Sequence, residues 1–148
     1  MDLKIINIQI KDLRFPTSLD NSGSDARSSD PDYSCIYIKL FTTNPNITGV
    51  GTAFTLGRGN SSVKAIIHEQ RRHIIGLTLE YIIDNFNKLW KTLTNDGQLC
   101  WNGPDKGILH QANAAIINAL WDIWAKHEKV PVWKLVTTMS KDKLISLL

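Results

Sequence analysis

The chain changes its hydrophobic period once, and that change divides it into a strand region and a helix region. Residues 4–13 set Ile5, Ile8 and Ile10 among Asn7, Gln9 and Lys11, which predicts a half-buried strand. Residues 34–43 alternate cleanly, with Ile36, Ile38 and Leu40 on one side and Tyr37, Lys39 and Phe41 on the other. "NPNITG" at 44–49 is turn chemistry, residues 50–56 predict a third strand, and "GRGN" closes it. Three consecutive strands, the last two joined by a short turn, imply an antiparallel meander.

From there the apolar spacing becomes helical. Residues 61–75 predict a helix with Asn60 or Ser61 as its cap and Gly76 just past its end. Residues 79–93 predict a second, continuous helix with Ile82, Ile83, Phe86, Leu89, Trp90 and Leu93 on one stripe. Residues 94–107, "TNDGQLCWNGPDKG", read as a loop. The third helix, 108–128, is apolar on nearly every side, which makes it the central one. Its small residues Ala112, Ala114, Ala115 and Ala119 would let neighbours approach closely. Pro131 suits the first position of a short last helix, "PVWKLV". Strands first and helices afterwards give an α+β domain, a three-stranded antiparallel meander followed by a small helical bundle.

One segment breaks the economy of this layout. "LDNSGSDARSSDPDY", residues 19–33, joins the first two strands with far more polar chain than a hairpin needs. It has the composition of a linker, yet strands of one sheet flank it.

Composition narrows the function classes. The 148 residues are 43% hydrophobic and 21% charged, as in one ordinary globular domain. No apolar run approaches the roughly 20 residues of a membrane span. The start, "MDLKIINIQIKDL", has the pattern of neither a signal nor a transit peptide, so a cytoplasmic location is expected. A net charge of +3 with bases and acids interleaved argues against a nucleic-acid surface, which shows a broader basic stripe. Cys35 and Cys100 form no C-x-x-C pattern and are expected as reduced thiols.

Local motifs for chemistry fail on spacing. "HEQRRH" at 68–73 sets its histidines at i and i+5, about 140° apart around a helix, whereas zinc ligation there needs i and i+4. "TLGRGNSS" lacks the third glycine of a dinucleotide loop and the Gly-Lys-Ser/Thr of a phosphate loop, and reads as a turn that launches a helix. Asp20, Asp25, Asp30 and Asp32 lack the spacing of a calcium loop. No catalytic residue and no metal ligand is assigned within the chain.

Read together, "DLRFPTSLDNSGSDARSSDPDYS", "GTAFTLGRG", "LTNDGQLCWNGPDKGILHQANAAIINALWDIWAK" and "PVWKLV" occur in an order that resembles the L-fuconate dehydratase family of the enolase superfamily. The similarity runs from about Lys4 to Met139. It implies an amino-terminal capping domain over residues 1–140, with 141–148 starting the connection to a (β/α)8 barrel that these residues do not include. In such a family the barrel carries the base, the acidic Mg2+ ligands and an Asp–His pair. A proton is taken from the carbon next to a carboxylate, Mg2+ stabilises the enediolate, and water is lost to give a 2-keto-3-deoxy acid. None of those groups would lie in this chain, so no turnover is expected from it alone.

The same resemblance implies a role for the long loop. The family's capping domain reaches over the barrel mouth, touches the sugar acid and excludes water. Its substrate contacts fall here on Gly23, Ser24, Asp25 and Tyr33. Asp25 could accept hydrogen bonds from sugar hydroxyls and Tyr33 could donate one. Ser22 stands where the family often has histidine, and Ser24 where it commonly has a smaller residue. Lys129 replaces a glycine expected after the central helix, so that helix is expected to end without a left-handed cap. A rival reading is a free-standing interaction module that docks to a full-length relative, to another copy or to another protein.

Overall fold

The structure, a computed structural model, describes residues 2–103 and 107–147. The loop read for 94–107 therefore includes residues 104–106, which lie outside the described residues, as do 1 and 148. Three strands, β1 (Ile5–Arg14), β2 (Ser34–Thr42) and β3 (Thr48–Thr55), form one antiparallel sheet in the order β1-β2-β3. The meander and the α+β class are as the periodicity implied. The inner face carries Ile8, Ile36, Ile38, Leu40 and Ala53, all buried. The register explains why: Ile8, Leu40 and Gly49 share one row, and Ile10, Ile38 and Gly51 the next.

The helices are α1 (Asn60–Gln70), α2 (Leu79–Asp84), α3 (Phe86–Thr94), α4 (Ile108–His127), α5 (Val132–Thr137) and α6 (Lys141–Ser146). The central helix α4 lies against β3 and also meets α1, α2, α3 and α5. Ten of its 20 residues are buried, among them Ala112, Ala115 and Ala119, while Ala114 faces out. Its approach to the sheet is at backbone contact. A methyl built on Gly49 would stand 2.1 Å from the Ala119 carbonyl oxygen, and one on Gly51 would stand 2.0 Å from that of Ala115. Two glycines at i, i+2 on the strand thus meet two alanines at i, i+4 on the helix.

Five expectations need correction. Asn60 does not cap α1: Gly59 occupies the cap position at φ +94°, and the Asn60 amide instead donates to Asp12 Oδ1 at 2.6 Å, buried between β1 and α1. That helix also stops at Gln70, with residues Arg71–His73 continuing as a 3₁₀ turn. The continuous helix read for 79–93 is two helices. Asn85 leaves helical geometry at φ −122° and ψ 29°, and its side chain donates to the Tyr81 carbonyl, competing for an acceptor of the helix ladder. The hydrophobic stripe passes through the break, so the spacing alone hides it.

The fourth concerns Lys129. It stands at φ +57°, in the left-handed region that a glycine would occupy without strain. The Val130 amide donates to the Ala125 carbonyl and the Lys129 amide to that of Lys126, which together make a Schellman motif. The helix keeps its left-handed cap and bears the lysine's strain. Nor is the helix of "PVWKLV" the last: Pro131 stands outside α5 as its cap in extended geometry, and α6 follows. That helix folds back onto the domain, where the Lys143 ammonium reaches the Ile83 carbonyl at 2.7 Å and lies over the Trp124 ring.

Candidate functional site

The long loop is fastened at its base. The Phe15 amide donates to the Tyr33 carbonyl at 2.9 Å, and the Thr17 hydroxyl donates to the Pro31 carbonyl at 2.7 Å while accepting from the Tyr33 amide at 3.0 Å. Asp32 takes the Ser18 hydroxyl at 2.6 Å and the Ser18 amide at 3.2 Å on one oxygen. A linker would hold none of these cross-loop bonds. The segment is a closed surface loop whose two ends are neighbours, the arrangement that loops with binding duties commonly take.

Gly23 is required twice at its place in the loop. Its φ is +75°, and a methyl on it would sit 2.5 Å from the Tyr33 ring. The Tyr33 hydroxyl donates to the Gly23 carbonyl at 3.1 Å, and its ring meets Phe54 edge-on at 5.7 Å. Tyr33 therefore links the loop to β3. Its phenol proton is committed inside the chain, which leaves the oxygen as an acceptor.

Asp25 and Ser24 build the turn at the loop's outer end. Ser24 donates its hydroxyl to the Asn21 carbonyl at 2.8 Å. One oxygen of Asp25 accepts the Arg27 amide at 2.8 Å and the Ser28 amide at 2.7 Å. Those two amides, Ser28 first, hold the carboxyl below the usual carboxylate range, so Asp25 carries its charge at neutral pH. Its other oxygen makes no bond within the described residues. Gly23, Ser24, Asp25 and Tyr33 are thus near neighbours: Tyr33 packs on Gly23, and Ser24 and Asp25 follow Gly23 directly in the chain.

Further participants come from the turn after β3, which the sequence reading treated only as a helix launch. Gly57, at φ +99°, lies against Asp32, where a methyl would stand 2.8 Å from the aspartate Cβ. The Asp32 amide donates to the Leu56 carbonyl at 3.3 Å. Arg58 reaches back to Asp30 at 2.5 Å, and Arg27, Ser28, Asp30, Pro31, Leu56 and Arg58 line an open cavity of about 240 Å3. Nothing in the spacing of residues 30 and 58 signalled this contact, because it depends on the register in which β2 and β3 pair, with Ser34 opposite Thr55. Asp32 is likewise held below the usual range, first by the Ser18 hydroxyl and then by the Ser18 amide.

The group is polar, exposed and bordered by apolar side chains. Phe15, Phe54 and Leu56 are exposed at 58%, 62% and 43%. Exposed apolar side chains gathered at one edge mark a surface suited to contact. Among the described residues no group of three or more His, Cys, Asp or Glu side chains is placed to hold a metal ion. The loop carboxylates Asp25, Asp30 and Asp32 are each engaged with the chain's own donors. They do not fit a Mg2+ site.

Residues 25–137 match the mandelate racemase / muconate lactonizing enzyme family, in its N-terminal domain. The chain belongs to this family. It is 48% identical over 144 residues to mitochondrial enolase superfamily member 1 of Xenopus laevis, covering 97% of this chain and 32% of that protein. It is 41% identical over 144 residues to the L-galactonate dehydratase of Hypocrea jecorina, with 97% and 32% covered. The crystal structure of human mitochondrial enolase superfamily member 1 superposes with a TM-score of 0.95 at 42% identity, covering 99% of this chain and 34% of that one. An L-talarate/galactarate dehydratase of Salmonella typhimurium, solved with Mg and L-lyxarohydroxamate, shares the fold at a TM-score of 0.60 and 20% identity. The chain spans about a third of the length of the curated relatives it matches. Within the enolase superfamily it is thus an N-terminal domain like those of sugar-acid dehydratases. No helix among its described residues is long and apolar enough to cross a membrane.

Proposed function

We propose that these residues are the substrate-specificity cap of an L-fuconate dehydratase-like hydro-lyase, inactive without a catalytic barrel. The observation that carries the reading is the fastened loop 15–33, which presents an ionised, half-free Asp25 and an acceptor on Tyr33 at an apolar rim. Asp25 would accept from sugar hydroxyls and Tyr33 would contact the sugar from the side of Phe54. Gly23 holds the two together, and Ser24 shapes the turn between them. The relationship to an L-galactonate dehydratase supports a sugar acid as the ligand class. The base, and the Mg2+ that would bind the substrate carboxylate and so acidify the neighbouring C–H, belong, on this reading, to the barrel, since the carboxylates here do not fit the ion. Residues 1–140 would be the cap and 141–148 the start of the connection.

Two measurements test this. The purified 148-residue protein, given Mg2+ and L-fuconate, should show no dehydration, and robust turnover would sink the claim that a barrel is needed. Grafting residues 1–140 onto the remainder of the L-galactonate dehydratase should move its preference toward L-fuconate. Asp25→Asn in that chimera should cost about tenfold or more in kcat/KM, since a site built to accept from hydroxyls loses its charged acceptor. An unchanged preference in the chimera refutes the specificity role.

The exposed Phe15, Phe54 and Leu56 support a second reading, in which the domain docks to a full-length relative or to another copy. A protein that sediments as a monomer at all concentrations, with no partner captured, would count against it.

A further inference from the structure

The two edges of the sheet are protected in different ways. An edge strand exposes unpaired amides and carbonyls, and proteins blunt such edges with charges, bulges or covering elements. β1 carries its own protection: Lys11, Asp12 and Arg14 are charged, and its register shifts between Ile5 and Asn7. β3 has none, because "TGVGTAFT" contains no charged residue and no proline. Such a strand lacks the charges and proline that would themselves oppose strand-to-strand pairing.

Protection of β3 comes from another element. Asp122 Oδ2 accepts the Val50 amide at 2.8 Å, and the Lys126 ammonium donates to the Thr48 carbonyl at 2.8 Å. The two side chains, one turn apart on α4, also pair with each other at 2.5 Å. In an antiparallel strand, main-chain groups of alternate residues point to opposite neighbours. Those of Thr48 and Val50 therefore point away from β2, toward the place a fourth strand would take. A borrowed carboxylate and ammonium occupy the first donor and acceptor of that place. Beyond them Thr52 and Phe54 are exposed, and among the described residues no side chain bonds to their main-chain groups.

We propose that Asp122 and Lys126 act as an edge guard supplied by α4, which keeps β3 from pairing with β3 of a second copy. The partner is a second copy because the exposed strand is uncharged and presents the same edge to itself in antiparallel register. Loss of the guard would free one donor and one acceptor per chain for that pairing.

The test is sedimentation velocity over a concentration series, with circular dichroism to follow the fold. Asp122→Ala/Lys126→Ala should self-associate at a concentration about tenfold or more below wild type, since two hydrogen bonds per chain become available across the interface. Adding Thr52→Lys, a charge on the free edge, should return the variant to wild-type behaviour. A folded double variant that associates no more than wild type overturns the proposal. So does association that Thr52→Lys leaves unchanged, because it then uses another surface. If the double variant loses its fold, Lys126→Met decides: it keeps the stem but frees the Thr48 carbonyl, and unchanged association there refutes the guard.

Discussion

Gly51→Ala is expected to be among the most damaging single-methyl additions in this domain. The added Cβ would lie 2.0 Å from the Ala115 carbonyl oxygen and 2.8 Å from the Ala119 amide nitrogen, where ordinary contact begins near 3.4 Å. Both neighbours are backbone, so no side chain can rotate away. α4 must retreat from β3 by about 1.4 Å, or the strand must bend. A gap of 0.5–1 Å already forfeits roughly a quarter to a half of the dispersion across an interface. The rows that would separate include Ala115, Ile116, Ala119 and Ile123, all buried. The cost is expected at or above about 3 kcal/mol, the upper end of overpacking. In a domain of this size that corresponds to a fall of about 6–12 °C in Tm.

Urea denaturation followed by circular dichroism measures this, and two other glycines serve as controls. Gly59→Ala has open space but a φ of +94°, so it isolates backbone strain, about 1–2 kcal/mol. Gly97→Ala has open space and no positive φ, and should be neutral or stabilising by about 0.4–1 kcal/mol. A Gly51→Ala midpoint within error of wild type, or a cost below that of Gly59→Ala, would refute the claim that backbone contact sets the α4–β3 distance.

Other expectations follow from single residues. Lys129→Gly should stabilise by about 0.5–1 kcal/mol in the same urea assay, because glycine relieves the left-handed strain but loses more entropy on folding. A loss of stability would mean that the lysine side chain makes a contribution the Schellman geometry does not. Gly23→Ala should cost about 1–2 kcal/mol, the strain of a left-handed φ, and speed tryptic cleavage after Arg27, since it breaks the Tyr33–Gly23 contact that holds the loop. Equal cleavage rates would mean the loop is held by its base alone. Asp96 is raised by burial but lowered further by the Gln98 amide, by Arg72 at 2.6 Å and by His73, and so lies below the ordinary aspartate range. A depressed folded pKa contributes stability that is present above the unfolded value near 4 and lost as pH falls through the folded value. Asp96→Asn should therefore flatten the acid limb of a stability–pH profile; an unchanged limb refutes the role.

Much of this protein was legible because two periods repeat over long stretches. Alternation at residues 34–43 fixes which face of β2 is buried, since neighbouring side chains of a strand must point to opposite sides. The density of apolar and small residues at 108–128 made α4 the centre for the same kind of reason. Local geometry governed by a single residue was less legible. The break at Asn85 arises from a side chain bonding to a carbonyl one turn back, and the cap at Lys129 from packing of Val130 that compensates a strained φ.

The candidate site divides along the same line. By themselves, the residues indicated that 19–33 was too polar and too long for a turn, and the family resemblance singled out Gly23, Ser24, Asp25 and Tyr33. Only the folded chain joined Asp30 to Arg58, Asp32 to Gly57 and Asp122 to the edge of β3. Those pairs are 25 to 72 residues apart, and their meeting depends on sheet register and on how far α4 descends onto two glycines. Periodicity states which side of an element is buried; it does not state what that side will touch.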